Sequence, residues 1–346
     1  LPEYYDEYAR YLALWAKNFQ TKTGVNLYAV SIQNEPLFNE PYPSAQLLPA
    51  EYGPALKAVH DTFAKYPELS GIKFFGPENM ADNMVTHAYV TQFVDNATYG
   101  PLLDAYAVHG YSDGISPSLG SSSVWEAYAA KMIDQKGKMT WMSETSGEGT
   151  DWTSSLEYAK GMFLMFKSGR ISVYAYYGMG GMYNGSPTRS LYHHMHYYRF
   201  IRPGMKMIKV TDTDPDVEAI AFKKGSDVTV IAFNLSKTTS KTIQFGDFAG
   251  KPAFFHVYLS DPTTMCAGAS PTPRRPDACR RCGDEHRPRV FVADVRCDGR
   301  HAVIAQRGVG ELPAIAAVLA LPQPGVVASG EQTPRGARVG PNQAEG

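Results

Sequence analysis

The chain has 346 residues, 44% hydrophobic and 12% aromatic, which is enough for one large domain or two ordinary ones with a buried core. Its 33 basic and 34 acidic residues give a net charge of −1, so we expect neither a nucleic-acid partner nor an anionic membrane partner. No apolar run reaches the roughly 18 residues that a membrane-spanning helix needs.

Helical and strand patterns alternate over the first 200 residues. The predicted helices are 5–24, 49–66, 85–95, 122–136, 155–168 and 189–199. The predicted strands are 27–33, 72–76, 105–109, 139–143 and 171–176. Such alternation indicates parallel βα units, in either an open doubly wound sheet or a (β/α)8 barrel.

The residues at the strand ends favour the barrel. No G-x-G-x-x-G turn of a dinucleotide-binding sheet follows any strand. The segment 178–181 is glycine-rich, but we expect no helix to open on it. Polar and acidic residues instead cluster where the strands end, as in (β/α)8 barrels. We therefore predict a catalytic barrel domain over residues 1–203.

The pattern changes to short alternating strands after residue 203. These predicted strands are 207–210, 217–223, 228–234, 242–245 and 254–259, with a hairpin turn at 224–227. They predict a small, incomplete antiparallel β domain over residues 204–262.

Composition changes again in residues 263–346. This segment has no lysine, 11 arginines, a single aromatic residue and all four cysteines (Cys266, Cys279, Cys282 and Cys297). A four-thiolate zinc site, a disordered tail and translation in a shifted reading frame are the three hypotheses. We favour disorder or a shifted frame, and we base no function on this segment.

Two glutamates directly follow predicted strands. Glu35 stands in Asn34-Glu35-Pro36, and Glu144 comes 109 residues later at the end of the strand 139–143. Carboxylates at the tops of two barrel strands face one pocket, and glycoside hydrolysis needs such a pair. The alternative is that each is solvated or salt-bridged. The similar triplet at Glu40 follows no strand, and we interpret it as structural.

Three segments carry a resemblance to a known family. The segment 28–36 (YAVSIQNEP) resembles the fourth-strand motif of clan A retaining glycoside hydrolases, and most of all that of glycoside hydrolase family 30. The segment 141–144 (WMSE) is similar to the family's seventh-strand nucleophile, and 197–204 (YYRFIRPG) to its passage into the side β domain. The resemblance covers residues 1–262 and implies a partial (β/α)8 TIM barrel containing strands 4–8.

The resemblance also implies residue roles. Glu35 would be the acid/base, Glu144 the nucleophile, Asn34 a partner of the sugar 2-hydroxyl, and Tyr111 the holder of the nucleophile. Further substrate-binding candidates, each with core packing or a structural role as the alternative, are His109, Trp141, Tyr174, Tyr176 and Tyr177. For Glu78 and Asn79 we favour a solvated loop over a sugar contact, and Arg189 is the arginine available near the last strand.

The expected activity is double-displacement hydrolysis of a β-linked polysaccharide, with endo-β-1,4-xylan favoured. Alternatives are β-1,6-glucan or cellulose as substrate, or an inactive carbohydrate-binding remnant. No metal or organic cofactor is needed for this chemistry. Since three family strands have no counterpart before residue 27, we expect a fragment of a larger hydrolase that is secreted and monomeric when complete.

Overall fold

The computed structural model describes residues 2–235, except 40, 42–43, 81–85, 112–120, 148, 212–213 and 226. It also describes the strand segments 243–245, 256–260, 267–269, 291–293 and 301–305. The four cysteines and Glu40 lie outside the described residues, so the zinc hypothesis and the interpretation of the second Asn-Glu-Pro triplet stay predictions.

Five parallel strands form a sheet curled like half of a barrel, in the chain order β1-β2-β3-β4-β5. They are β1 (Ala29–Val30), β2 (Lys73–Asn79), β3 (Ala105–His109), β4 (Met139–Glu144) and β5 (Val173–Tyr174). The predicted partial (β/α)8 architecture is thereby confirmed. Consecutive neighbours in a parallel sheet follow from right-handed βα connections, which return each strand beside the previous one.

Six α-helices accompany these strands along the described chain. They are α1 (Tyr5–Thr23), α2 (Pro49–Phe63), α3 (Ser122–Ala129), α4 (Trp152–Lys167), α5 (Met179–Met182) and α6 (Arg189–Tyr198). The helix predicted at 122–136 is α3 continued by a π-helical segment, Ala130–Gln135. The short helix α5 opens directly after Gly178, so the expectation that no helix opens on this glycine-rich segment is wrong.

Helix ends follow ordinary capping chemistry. Asp151 precedes α4 and accepts a hydrogen bond from the backbone nitrogen of Ser154 at 3.1 Å. Thr188 does the same for α6, accepting from the backbone nitrogen of Leu191. Gly24 ends α1 with φ of +69°, a left-handed conformation that costs glycine no side-chain clash. These caps determine where the chain turns back toward the sheet.

The two faces of the parallel sheet pack differently. The helix-facing side contributes Tyr106 and Val108 to the main core, where both are fully buried. The inner side carries a smaller cluster of Ala105, Ala107 and Trp141. Because side chains alternate along a strand, His109 at the end of β3 shares the inner side with the two alanines. The alternation therefore directs His109 into the barrel interior.

A second, antiparallel sheet has the order β11-β10-β13-β8-β7-β6. Its strands, together with the separate pair β9 and β12, are β6 (Lys206–Ile208), β7 (Val217–Lys224), β8 (Asp227–Asn234), β9 (Ile243–Phe245), β10 (His256–Ser260), β11 (Ala267–Ala269), β12 (Phe291–Ala293) and β13 (His301–Ala305). Lys224 pairs with Asp227, which closes the expected hairpin. The strands β11, β12 and β13 come from the segment 263–346, whose other residues lie outside the described ones.

Aromatic contacts join the second sheet to the helices of the half-barrel. Phe163 of α4 lies 5.3 Å from Phe233 of β8, measured between ring centroids. Phe200, just after α6, lies 4.6 Å from Tyr258 of β10. The Nε2 of His196 in α6 is 2.7 Å from the hydroxyl of Ser260. Both sheets thus share one apolar core through α4 and α6.

Three buried histidines lie on α6. Burial lowers the pKa of His193 and of His194 to about 4. Burial and the charge of His193 lower the pKa of His196 to about 3. The folded chain therefore keeps all three imidazoles neutral at mildly acidic pH, whereas the unfolded chain takes up protons on them near pH 6.5.

Acid is expected to destabilise the fold through these histidines. Since their folded pKa values lie below the unfolded value, their contribution is present above pH 6.5 and is lost as pH falls toward 4. Each contributes about 2 kcal/mol to the drop in unfolding free energy between pH 7 and pH 5. Urea unfolding at both pH values should therefore show a smaller drop for His196→Gln than for the wild type. The same drop in both chains would contradict the assignment, and the half-buried His60→Gln serves as the control.

Candidate active site

The ends of β1, β3 and β4 bring three ionisable side chains together. Glu35 follows β1, His109 ends β3 and Glu144 ends β4. In the β3–β4 ladder, a register shift after Val108 pairs His109 with Glu144. The carboxyl ends of parallel strands meet at one rim, which is where barrel enzymes hold their reacting groups.

His109 and Glu35 form the closest contact of this cluster. His109 is fully buried, and its Nδ1–H donates to Oε1 of Glu35 at 2.7 Å. Glu35 is itself only 8% exposed, and its φ of +40° is an uncommon backbone conformation for a residue other than glycine. Strained backbone of this kind is concentrated at functional sites, where the surrounding structure holds it in place.

Glu144 lies on the other side of His109. Its Oε1 is 4.0 Å from Nδ1 of His109. One side-chain ligand atom from each of Glu35, His109 and Glu144 lies within 4.8 Å of the other two. The two carboxylates therefore face each other at a spacing that lets both contact one small reacting centre.

Tyr111 holds the Glu144 carboxylate from the rim. Its hydroxyl donates to Oε1 of Glu144 at 2.9 Å. Burial, together with the charges of Glu144 and Glu35, raises the pKa of Tyr111 above its usual range, while a hydrogen bond with Ser146 opposes the rise. The phenol thus stays protonated and remains a hydrogen-bond donor to Glu144.

Glu78 lies on the far side of the imidazole. Its Oε1 is 3.7 Å from Nε2 of His109, and the residue is 9% exposed with φ of +61°. Burial lowers the pKa of His109, but the contacts with Glu78 and Glu35 and the charge of Glu144 outweigh burial and raise it above 6.5. The imidazolium therefore lies between the acidic side chains of Glu35 and Glu78, with that of Glu144 close by.

The structure distributes the other candidate residues over several surroundings. Asn34 is exposed beside Glu35. Trp141 is 5% exposed on the inner side of the sheet, with its ring 4.9 Å from Phe75. Tyr177, after β5, is 65% exposed. Asn34 and Tyr177 are therefore accessible to a ligand, whereas Trp141 is buried.

Tyr174 and Tyr176 pack toward α6. The Tyr174 ring lies 5.9 Å from His194 and 6.1 Å from Tyr198, on the helix-facing side of the sheet. The Tyr176 ring lies 4.7 Å from His194. Tyr174 is therefore buried in the core, and Tyr176 is half-buried against it.

Two residues at the end of β2 belong to the neighbourhood of the site. Glu78 and Asn79 are 9% and 3% exposed, so the favoured interpretation of a solvated loop is wrong. The sequence signal was available, because this pair follows a predicted strand as Glu35 and Glu144 do. Arg189 begins α6, where its charge contributes to lowering the pKa of His193.

The three clustered side chains also have the types and spacing of metal ligands. Imidazole and carboxylate groups bind divalent transition metals, and their atoms here lie within 4.8 Å of one another. The 2.7 Å contact between His109 and Glu35 is nevertheless the length of a charge-assisted hydrogen bond. A proton held between them accounts for this geometry.

Comparison with known proteins first defines the class of fold. Solved structures with this architecture include the family 30, subfamily 8 xylanase Xyn30A of Clostridium acetobutylicum, at 20% identity and a TM-score of 0.66 over 88% of this chain and 73% of that one. A conserved exported protein of Bacteroides fragilis matches at 16% identity and a TM-score of 0.65, over 88% and 70% of the two chains. The fold is thus a partial (β/α)8 barrel with a separate antiparallel sheet, and these neighbours are (β/α)8 enzymes.

A curated relative then adds a similarity in sequence. The glucuronoxylanase XynC of Bacillus subtilis is 24% identical over 250 residues, which are 68% of this chain and 54% of the relative. The chain thus spans about half the length of the curated relatives it matches. No family model matches the chain. The resemblance to glycoside hydrolase family 30 is confirmed by these similarities in sequence and fold.

Replacing His109 with glutamine is expected to destabilise the chain in a pH-dependent way. The raised pKa means that the stabilisation by the imidazolium is present below pH 6.5 and is lost as pH rises through the folded pKa. His109→Gln should therefore cost about 1.5–3 kcal/mol at pH 5.5 and less at pH 9, since a charged hydrogen bond is removed. Urea unfolding at the two pH values measures the difference. A larger cost at pH 9 would contradict the assigned protonation.

Proposed function

We propose that the chain carries the catalytic residues of a retaining β-glycanase, with Glu144 as nucleophile and Glu35 as general acid and base. The observation that carries the proposal is the facing pair of carboxylates within 4.8 Å, one held by Tyr111 and the other by His109. Retaining glycosidases hold their carboxyl groups about 5–5.5 Å apart, whereas inverting enzymes leave room for a water between them.

The first half-reaction transfers the sugar to the enzyme. Glu144 attacks the anomeric carbon while the glycosidic bond breaks, and Glu35 gives its proton to the departing oxygen. Tyr111 orients the Glu144 carboxylate through the hydrogen bond at 2.9 Å. His109 orients Glu35 and carries positive charge beside it.

The second half-reaction releases the sugar. Glu35, now a carboxylate, removes a proton from water, and the water oxygen attacks the anomeric carbon as the bond to Glu144 breaks. Both carboxyl groups then return to their starting protonation states. Two inversions at the same carbon retain its configuration, and the protons balance without a metal or an organic cofactor.

A β-1,4-xylan is the substrate that we favour. The support is that a glucuronoxylanase and a family 30 xylanase are among the similar proteins. The exposed Tyr177 and the apolar side chains beside Glu35 suit the flat faces of pyranose rings. None of the described helices has the length and apolarity to cross a membrane. Since xylan is an extracellular polymer and one structural neighbour is an exported protein, we also propose secretion.

A second candidate is carbohydrate binding without hydrolysis. Among the described strands, β1 and β5 each pair with one neighbour, so the sheet of five strands has two unpaired edges. A barrel of this kind closes with eight strands. Unpaired edges leave the strand ends that carry the carboxylates less firmly held. If the two carboxylates are slightly displaced, the chain still binds sugar but hydrolyses it slowly.

Glu144→Gln separates the two candidates. For an active hydrolase the substitution should reduce xylan hydrolysis below detection, because the amide cannot attack the anomeric carbon, and leave xylotetraose binding within about twofold. Glu35→Gln should lower turnover by about 10²–10⁴-fold. Reducing-sugar release and calorimetry measure the two quantities, with the exposed Glu157→Gln on α4 as the control. Binding by a wild-type chain that hydrolyses nothing would favour the second candidate.

The stereochemistry of the first product tests the mechanism independently. Double displacement should release the β anomer initially, because the facing carboxylates leave no room for a water opposite the leaving group. Proton NMR within the first minutes of xylotetraose hydrolysis follows the anomeric signals before mutarotation. An initial α product would refute the double displacement.

A further inference from the structure

A small pocket opens beside Glu35, away from Glu144. Its lining consists of Glu35, Leu37, Phe38, Asn79 and Met80. Leu37 and Phe38 are 44% and 45% exposed, so their apolar side chains are available to a ligand. The backbone nitrogen of Phe38 donates to the carbonyl oxygen of Glu35 at 2.8 Å, which ties this apolar wall to the acid/base residue through a tight turn.

Asn79 lines this pocket and has one polar atom without a hydrogen-bond partner among the described residues. The residue is 3% exposed, and its Oδ1 accepts a hydrogen bond from the hydroxyl of Tyr106 at 3.4 Å. Its Nδ2 is buried and has no hydrogen-bond partner among the described residues. Buried donors are almost always paired, so this amide nitrogen is available to an acceptor that arrives with a ligand.

The position of the pocket identifies which part of a substrate enters it. In a retaining glycosidase the nucleophile contacts the sugar that becomes bound to the enzyme, and the acid contacts the oxygen that leaves. The pocket is lined by Glu35 and not by Glu144. A group in this pocket is therefore on the leaving side of the cleaved bond.

We propose that Asn79, Leu37, Phe38 and Met80 form the subsite for the leaving sugar, an inference that rests on the proposed glycosidase function. The Nδ2 of Asn79 donates to a hydroxyl oxygen of this sugar, and the apolar wall covers one face of its ring. Tyr106 orients Asn79 so that Nδ2, rather than Oδ1, points at the ligand. The ligand class is a neutral pyranose in a β-linked chain, because the lining residues other than Glu35 carry no charge.

Two variants test the subsite on the full chain. Asn79→Ala removes the amide donor without adding a charge beside Glu35, whereas Phe38→Ala trims the exposed wall without entering the core. Each should lower kcat/KM for xylotetraose about three- to tenfold, the size expected for one neutral hydrogen bond or one partly covered ring. With β-xylobiosyl fluoride both should stay within twofold of the wild type, because fluoride leaves the pocket empty. The exposed Asn18→Ala on α1 is the control.

Binding separates failure of the subsite from failure of the proposed function. In the Glu144→Gln background, calorimetry with xylotetraose and with cellotetraose should show affinity lowered about three- to tenfold by Asn79→Ala and by Phe38→Ala. If the wild-type chain hydrolyses neither compound but this loss of affinity appears, the glycosidase function fails and the sugar site stands. The subsite is overturned if neither oligosaccharide binds, if both variants bind as tightly as their parent, or if the variants slow the fluoride as much as xylotetraose.

Discussion

The hydrogen bond between His109 and Glu35 is the contact on which the arrangement of the site depends. It joins two side chains at the ends of different strands, and the two residues are 74 positions apart in the chain. The fully buried imidazole keeps a raised pKa there because acidic side chains surround it. Glu35, Glu78 and Glu144 all lie around this one imidazole, so a change in any of them alters the electrostatics of the others.

The parallel sheet supplies this contact by sorting side chains between its faces. Along β3 the outward residues Tyr106 and Val108 enter the main core, while the inward alanines leave space on the barrel side. His109 then ends the strand where the inner face meets the rim. Because the register shifts after Val108, His109 pairs with Glu144 and not with the residue before Glu144. A one-residue change in this ladder would move the reacting groups to different faces of the sheet.

The second sheet packs against the half-barrel through α4 and α6. Aromatic pairs from α4 and from the end of α6 bury their rings against β8 and β10. Helix α6 also carries the three histidines through which acid destabilises the fold. Opposite pH responses are thus built into neighbouring parts of one core: His109 is stabilising when protonated, and the α6 histidines are stabilising when neutral.

Local patterns in the sequence were sufficient to predict the elements of the half-barrel. Alternating helix and strand periodicity identified all five parallel strands, and β3 begins and ends at the predicted residues. The position of Glu35 and Glu144 directly after strands was also visible, because a strand end is a local feature of the chain.

Other features were decided only by the tertiary structure. Whether the Tyr174 side chain faces the barrel interior or α6 depends on the face of the sheet that it occupies. Because β5 has only two residues, its pattern of alternating side chains is too short to predict that face. The order of the second sheet, in which β13 lies between β8 and β10, joins segments far apart in the chain. The burial of Asn79 and Glu78 likewise arises from neighbours that are distant in sequence. Hydrophobic periodicity reports which residues avoid water within one element, whereas pairing, register and burial at a rim depend on the free energy of contacts between elements.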